Sequence, residues 1–270
     1  MEDTIARLGL LEDEAILLDA SALELASLDH LGVALHSYVD LLGSITRRLV
    51  VLGSGAEAAS ERADALAEVI GGEFGFSGDR ETYDNPENAD LIRVIDRRRG
   101  LPVSLSILYV AAARRLSWDA DALNTPGHVL VRIGSATEPV LLDPFNSGAV
   151  LLPPQLADLL ANVLGPHTSP TSEHLAPLSN RSVLVRLLMN QATRAEALGS
   201  VERALTLYKR MTLISPSNAH AWWERARLEL IAGSVGAARS SLSSMLEVTR
   251  EPGLRAHVFT ALDALSGSRT

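Results

Sequence analysis

The chain has 270 residues, 47% of them hydrophobic, no cysteine, and a formal charge of −9 at pH 7. A chain of this length buries a substantial core, and ordinary domain sizes divide it into two unequal domains. The excess of acids argues against nucleic acid or an anionic membrane surface as the main partner, and the missing thiols exclude disulfides and thiolate metal sites.

No stretch approaches the ~20 uninterrupted apolar residues of a membrane helix, and "MEDTIARLGLLEDEAILLDA" lacks the basic and apolar regions of a signal peptide. The expectation is a soluble, cytoplasmic protein with no membrane partner. From Glu12 to about Gly71, apolar residues recur at helical spacing, as in Leu23, Leu25, Leu28, Leu31 and Leu35, and proline is absent. "GGEFGFSGDRETYDNPEN" then reads as a loop ending in Asn88, a cap for a helix running to Arg99. Arg97, Arg98 and Arg99 would occupy that helix's last turn, where cations oppose the negative end of the dipole. The alternative is a ligand-binding basic patch.

In "GLPVSLSILYVAAARRLSW", Gly100 ends one helix and Pro102 opens the next, with Leu101, Leu105, Leu108, Ala112 and Leu116 on one core face. "DADAL", "HVLVRI" and "PVLLDPF" read as short strands. A helix at about 153–164 and the polar connector "GPHTSPTSEHLAPLSN" close a first domain, expected at 1–165 with a linker at 166–180. Residues 181–270 are helical throughout. There "GSVERAL" from Gly199 and "GSVGAAR" from Gly233 lie 34 residues apart, the period of the tetratricopeptide helix–turn–helix unit. Gly199 and Gly233 would sit in the turns between paired helices, and Ala204 and Ala238 would let those helices approach. Ser215 and Pro216 mark the break between units. About two units fit, fewer than an independent array needs, so they require the first domain or residues 255–265 as a cap. Trp222 and Trp223 lie on a repeat helix, one expected in the core and the other facing a groove.

Pairing the last two strands with Ile133 opposite Glu138, Val131 opposite Val140 and Val129 opposite Leu142 sets His128 opposite Asp143. Cross-strand neighbours lie about 4.5–5.5 Å apart at Cβ, near enough for a carboxylate to orient an imidazole. A slip of one residue would send the two to opposite faces. The seven histidines show no metal-ligand spacing and no His-Glu-x-x-His occurs, so neither a metal nor another cofactor is expected.

"GFSGDRETYDNPENADLIRVIDRRRGLPVSLSILYVAAARRL", then "PGHVLVRI", then "LLDPFNSG", resembles the transglutaminase-like core of the bacterial SirB family, in which tetratricopeptide repeats follow the core. The resemblance implies an α+β fold of the papain-like type, in which a helix carries the nucleophile and a short antiparallel sheet carries His and Asp. It places the histidine at His128 and the aspartate at Asp143. The cysteine position falls at or near Pro102, and the nearest hydroxyls are Ser104 and Ser106. A serine needs tight geometry to an imidazole and a preorganised oxyanion hole where a thiolate does not. One helical turn rises about 5.4 Å, so Ser104 is displaced both along and around the helix from the matching position. Two readings of Ser104 therefore stand, a nucleophile with His128 and Asp143 or a first-turn serine that satisfies a backbone group. His128 bonded to Asp143 is likewise either a catalytic remnant or a structural pair. The favoured function is a non-catalytic module that binds a protein or peptide, with the repeat helices and the cleft edge near His128 forming one surface. The alternative is a serine-dependent acyl-transfer or amide-hydrolysing enzyme.

Overall fold

The computed structural model describes residues 2–165 and 171–267, so His167 and the first part of the expected linker, 166–170, lie outside the described residues. Two compact units divide the chain, one formed by Met1–Glu12 with Val185–Thr270 and the other by Asp13–Leu184. The first helix, α1 (Glu2–Leu10), thus groups with the C-terminal helices. The boundary near the connector falls inside a helix that begins at Asn180.

The unit Asp13–Leu184 is mixed α and β. Helices α2 (Leu18–Ser27), α3 (His36–Leu52) and α4 (Ala59–Leu66) occupy the proline-free stretch. After α4 the backbone widens into a π-helical turn over Ala67–Glu73, where two adjacent glycines allow it. Strand β1 (Ser77–Gly78) pairs in parallel with β2 (Arg99–Gly100). Between them, α5 (Leu91–Arg97) begins at Asp90, whose Oδ1 accepts from the Arg93 amide at 3.1 Å. The expected cap, Asn88, is instead buried, and its side-chain amide donates to the carbonyls of Thr82 and Tyr83. Nor do the three arginines share a last turn. Arg97 ends α5, Arg98 takes the left-handed conformation at φ 57°, and Arg99 already lies in β2.

Helix α6 (Pro102–Arg115) is the centre of this unit. Every residue from Pro102 to Ala113 is buried, so the helix is wrapped on all sides and not on one face alone. The sequence allows this because no charge appears before Arg114, and a helix apolar all round belongs inside a protein. Each fully buried Leu, Ile or Val contributes roughly 1.5–3 kcal/mol relative to exposure, which anchors α6 firmly. Beside it lies an antiparallel sheet of β3 (Ala120–Leu123), β4 (Leu130–Ile133), β5 (Val140–Asp143) and β6 (Ala149–Val150), in that order. Helix α7 (Pro153–Leu164) follows.

The register of β4 and β5 corrects the sequence reading. Ile133 pairs with Val140, Arg132 with Leu141 and Val131 with Leu142, two residues from the expected alignment. Because the side-chain period of a strand is two, this shift keeps every residue on its expected face. The turn after β5 is locked against the π-helical turn. A side chain at Gly71 would collide with the Ser147 carbonyl, and one at Gly148 (φ +79°) would come within 2.7 Å of the Tyr109 hydroxyl and 2.9 Å of the Ala67 Cα.

In the other unit, α8 (Asn180–Ala197), which crosses the boundary, is followed by α9 (Val201–Ile214), α10 (Ala219–Ile231), α11 (Val235–Val248) and α12 (Pro252–Gly267). Among the described residues no strand follows Arg181. Gly199 and Gly233 both adopt positive φ in the turns ahead of α9 and α11, where a left-handed residue ends a helix without steric cost. Ala204 and Ala238 are fully buried. Helix α12 caps the array by packing Ala261, Leu262 and Leu265 around Val258, Leu242 and Met245. Trp222 and Trp223 are both half-buried against this cluster. At the opposite end of the array α1 packs on α9. Glu229, 1% exposed, accepts from Arg225 Nε at 3.0 Å and from Ser241 Oγ at 2.7 Å, tying α10 to α11.

Candidate active site

Strand β5 ends at Asp143, and Pro144 prevents the ladder from continuing. The Asp143 side chain then caps the turn it opens, accepting from the amides of Phe145 at 3.0 Å and Asn146 at 3.4 Å and from Asn146 Nδ2 at 2.5 Å. His128 lies just before β4, in a turn closed by its own amide donating to the Thr125 carbonyl at 3.1 Å. By the observed register Asp143 faces Leu130, so His128 reaches it along the diagonal, two residues away on the same face. Its Nε2 stands 2.8 Å from Asp143 Oδ1. The ring also meets Phe145 edge to face, with centroids 6.0 Å apart.

Burial pushes the Asp143 carboxyl up, but hydrogen bonds from His128 and Asn146, with the attraction of the imidazole, outweigh it and hold the group below the usual carboxylate range. An ionised carboxylate only accepts, so Nε2 carries the proton, and any chemistry by a neutral ring runs through Nδ1. Tyr109, on α6, lies close by with a buried hydroxyl that has no hydrogen-bond partner among the described residues. Burial first, and the charge of Asp143 second, push its phenol well above the ordinary value.

The structure joins His128 to Asp143 and leaves Ser104 apart from them. Ser104 is fully buried, and its Oγ donates to the Asn88 carbonyl at 2.7 Å, an oxygen that also accepts from the Leu101 amide at 3.0 Å. Ser106 is equally buried and donates to the Pro102 carbonyl at 2.7 Å. Its hydroxyl also reaches the Val129 carbonyl at 3.3 Å, tying α6 to the segment that carries His128. Sequence reasoning missed Asn146 and Phe145, although an Asp-Pro-x-Asn run after a strand signals an aspartate that caps its own turn. Among the described residues no three potential ligands cluster as a metal site, and no helix is long and apolar enough to cross a membrane.

A helix bearing the nucleophile position, packed beside an antiparallel sheet that pairs His with Asp, is the plan of a transglutaminase-like core. Residues 25–189 match the family model described as the transglutaminase-like superfamily. The chain belongs to that superfamily, among the UPF0162 proteins. It is 32% identical over 194 residues to a UPF0162 protein of Pseudomonas aeruginosa, covering 72% of this chain and 70% of that one. A UPF0162 protein of Xylella fastidiosa is 31% identical over 178 residues, 65% of this chain; the match spans 63% of the relative, less than two thirds of its length. Over 90 residues, a third of this chain, it is 36% identical to human F-box only protein 21, of which the match covers 14%. The resemblance to the SirB family read from the sequence agrees with these matches for the core.

Proposed function

We propose that the protein is a non-catalytic transglutaminase-like module, joined to tetratricopeptide-type helical repeats, that binds a protein or peptide partner. The observation that carries this reading is the commitment of every candidate nucleophile. No thiol occurs in the chain, and Ser104 spends its proton on the Asn88 carbonyl inside a fully buried helix start. An activated serine needs its proton aimed at the imidazole. The buried Ala204 and Ala238 and the left-handed Gly199 and Gly233, one repeat apart, support the repeat assignment. The 90-residue likeness to F-box only protein 21, 14% of that protein, supports the use of part of this chain as a portable module.

A fluorophosphonate probe tests the reading. The expected result is no covalent labelling of the folded wild type. Labelling that disappears in both Ser104→Ala and His128→Ala, with those variants folded, would establish the serine enzyme instead.

A further inference from the structure

Several arginines of the unit Asp13–Leu184 are matched to carboxylates: Arg48 to Glu73, Arg97 to Asp79, Arg115 to Asp19, and Arg114 and Arg132 to Asp121. Arg80 and Arg99 are not, nor are Arg47, Arg62 and Arg98, which donate to Ser44 Oγ, the Ala56 carbonyl and the Ile95 carbonyl. Arg80 and Arg99 are exposed, and among the described residues both hold only neutral oxygens. Arg80 Nη2 donates to Asn146 Oδ1, and Arg99 Nη1 donates to the carbonyls of Gly75 at 3.0 Å and Arg98 at 2.9 Å. In a chain with 33 acids against 24 lysines and arginines, two guanidinium groups without a carboxylate are notable only if they share a place, and they do. Both line one cavity of about 620 Å3, together with Phe145, Asn146 and Ser147.

Two acids also line this cavity. Asp79 is buried, and Arg97 Nη2, Thr82 Oγ1 and the amides of Glu81 and Thr82 occupy its oxygens, at 2.6, 2.6, 3.1 and 2.8 Å. Its charge is therefore already answered, and exposed Glu81 alone opposes Arg80 and Arg99. The guanidinium of Arg80 also lies over the Phe145 ring, 5.8 Å from its centroid.

We propose that this cavity binds an oxyanion group, phosphate or carboxylate, held by Arg80 and Arg99 beside the Asn146–Ser147 turn. A guanidinium presents paired donors whose geometry matches both groups, and its bonds to an ionised acceptor are roughly twice as strong as those to a neutral oxygen. Exchanging carbonyl and amide oxygens for an oxyanion therefore favours the bound state. The site stands one ring away from the His128–Asp143 pair, since Phe145 contacts Arg80 and His128 alike. It does not rest on the non-catalytic reading, because an oxyanion binds there whether or not His128 does chemistry.

The test is an amide-resolved NMR titration of the full chain with sodium phosphate in one arm and sodium citrate in the other, ionic strength being balanced with sodium chloride. Saturable shifts confined to Asp79, Arg80, Arg99, Asn146 and Ser147 are expected with at least one anion, and the responding arm identifies the group. The Arg80→Ala/Arg99→Ala double variant should bind about tenfold more weakly, and Arg47→Ala, on the exposed face of α3, as tightly as wild type. Should the double variant fold poorly, Arg99→Gln decides alone with a loss of about threefold or more, because Arg99 contacts only backbone carbonyls. Absence of saturation in both arms, undiminished binding by the charge-deleted variant, or an equal loss in Arg47→Ala overturns the proposal.

Discussion

Replacing His128 by alanine removes one of four donors from a carboxylate that is 1% exposed. Phe145 N, Asn146 N and Asn146 Nδ2 remain, so the charge is weakened in support but not stranded. A hydrogen bond to an ionised group is worth about 1.5–3 kcal/mol, and the predicted cost at pH 7 is about 2 kcal/mol. The acid dependence follows from the depressed carboxyl of Asp143. A group whose folded pKa lies below its unfolded value stabilises the fold above the unfolded value, near 3.8, and loses that contribution as pH falls through the folded one. The penalty of His128→Ala should therefore be full at neutral pH and shrink below about pH 4. With two compact units a single unfolding free energy is ill defined, so the assay is amide hydrogen exchange at β4 and β5, which reads the unit Asp13–Leu184 separately. A penalty under about 0.5 kcal/mol at pH 7, or one that does not shrink once the pH falls below about 4, would refute the reasoning.

Ser104→Ala should cost only about 1 kcal/mol, because the Asn88 carbonyl keeps the Leu101 amide; amide exchange along α6 checks it. Gly148→Ala forces a left-handed alanine against the Ala67 backbone and the Tyr109 hydroxyl, with a predicted loss of about 2–4 kcal/mol read by amide exchange at β4 and β5. Glu229→Ala leaves Arg225 and Ser241 without their shared acceptor, and faster exchange of the α10 and α11 amides should report about 3 kcal/mol of local destabilisation.

How legible these features were depends on the range of the interactions that set them. Helix α6 and strands β3 to β5 were plain in the sequence, because an uncharged run opened by Pro102 and short valine- and leucine-rich segments are local signals. The meeting of His128 and Asp143 was also readable, although by the wrong partners. Register depends on the turn between β4 and β5, which periodicity does not encode, whereas facing survives a shift of two residues. Asn88 and Asp90 are both good cap residues, and only the tertiary demand of the Thr82 and Tyr83 carbonyls for donors decides between them. The three arginines looked like one dipole-facing turn because the left-handed stop at Arg98 has no glycine to announce it. The grouping of α1 with α9 joins residues some two hundred positions apart, and no window along the chain contains that information.

The closure of Gly71 on Ser147 and of Gly148 on Ala67 and Tyr109 has a thermodynamic consequence for anything that docks beside Phe145. Flexible recognition loops surrender conformational freedom on complex formation, at about 0.5–1.5 kcal/mol for each immobilised side chain. Here backbone contacts made during folding have already fixed the turn that follows Asp143. Association with that turn should therefore carry little ordering entropy, and its rate should be set by encounter and not by rearrangement.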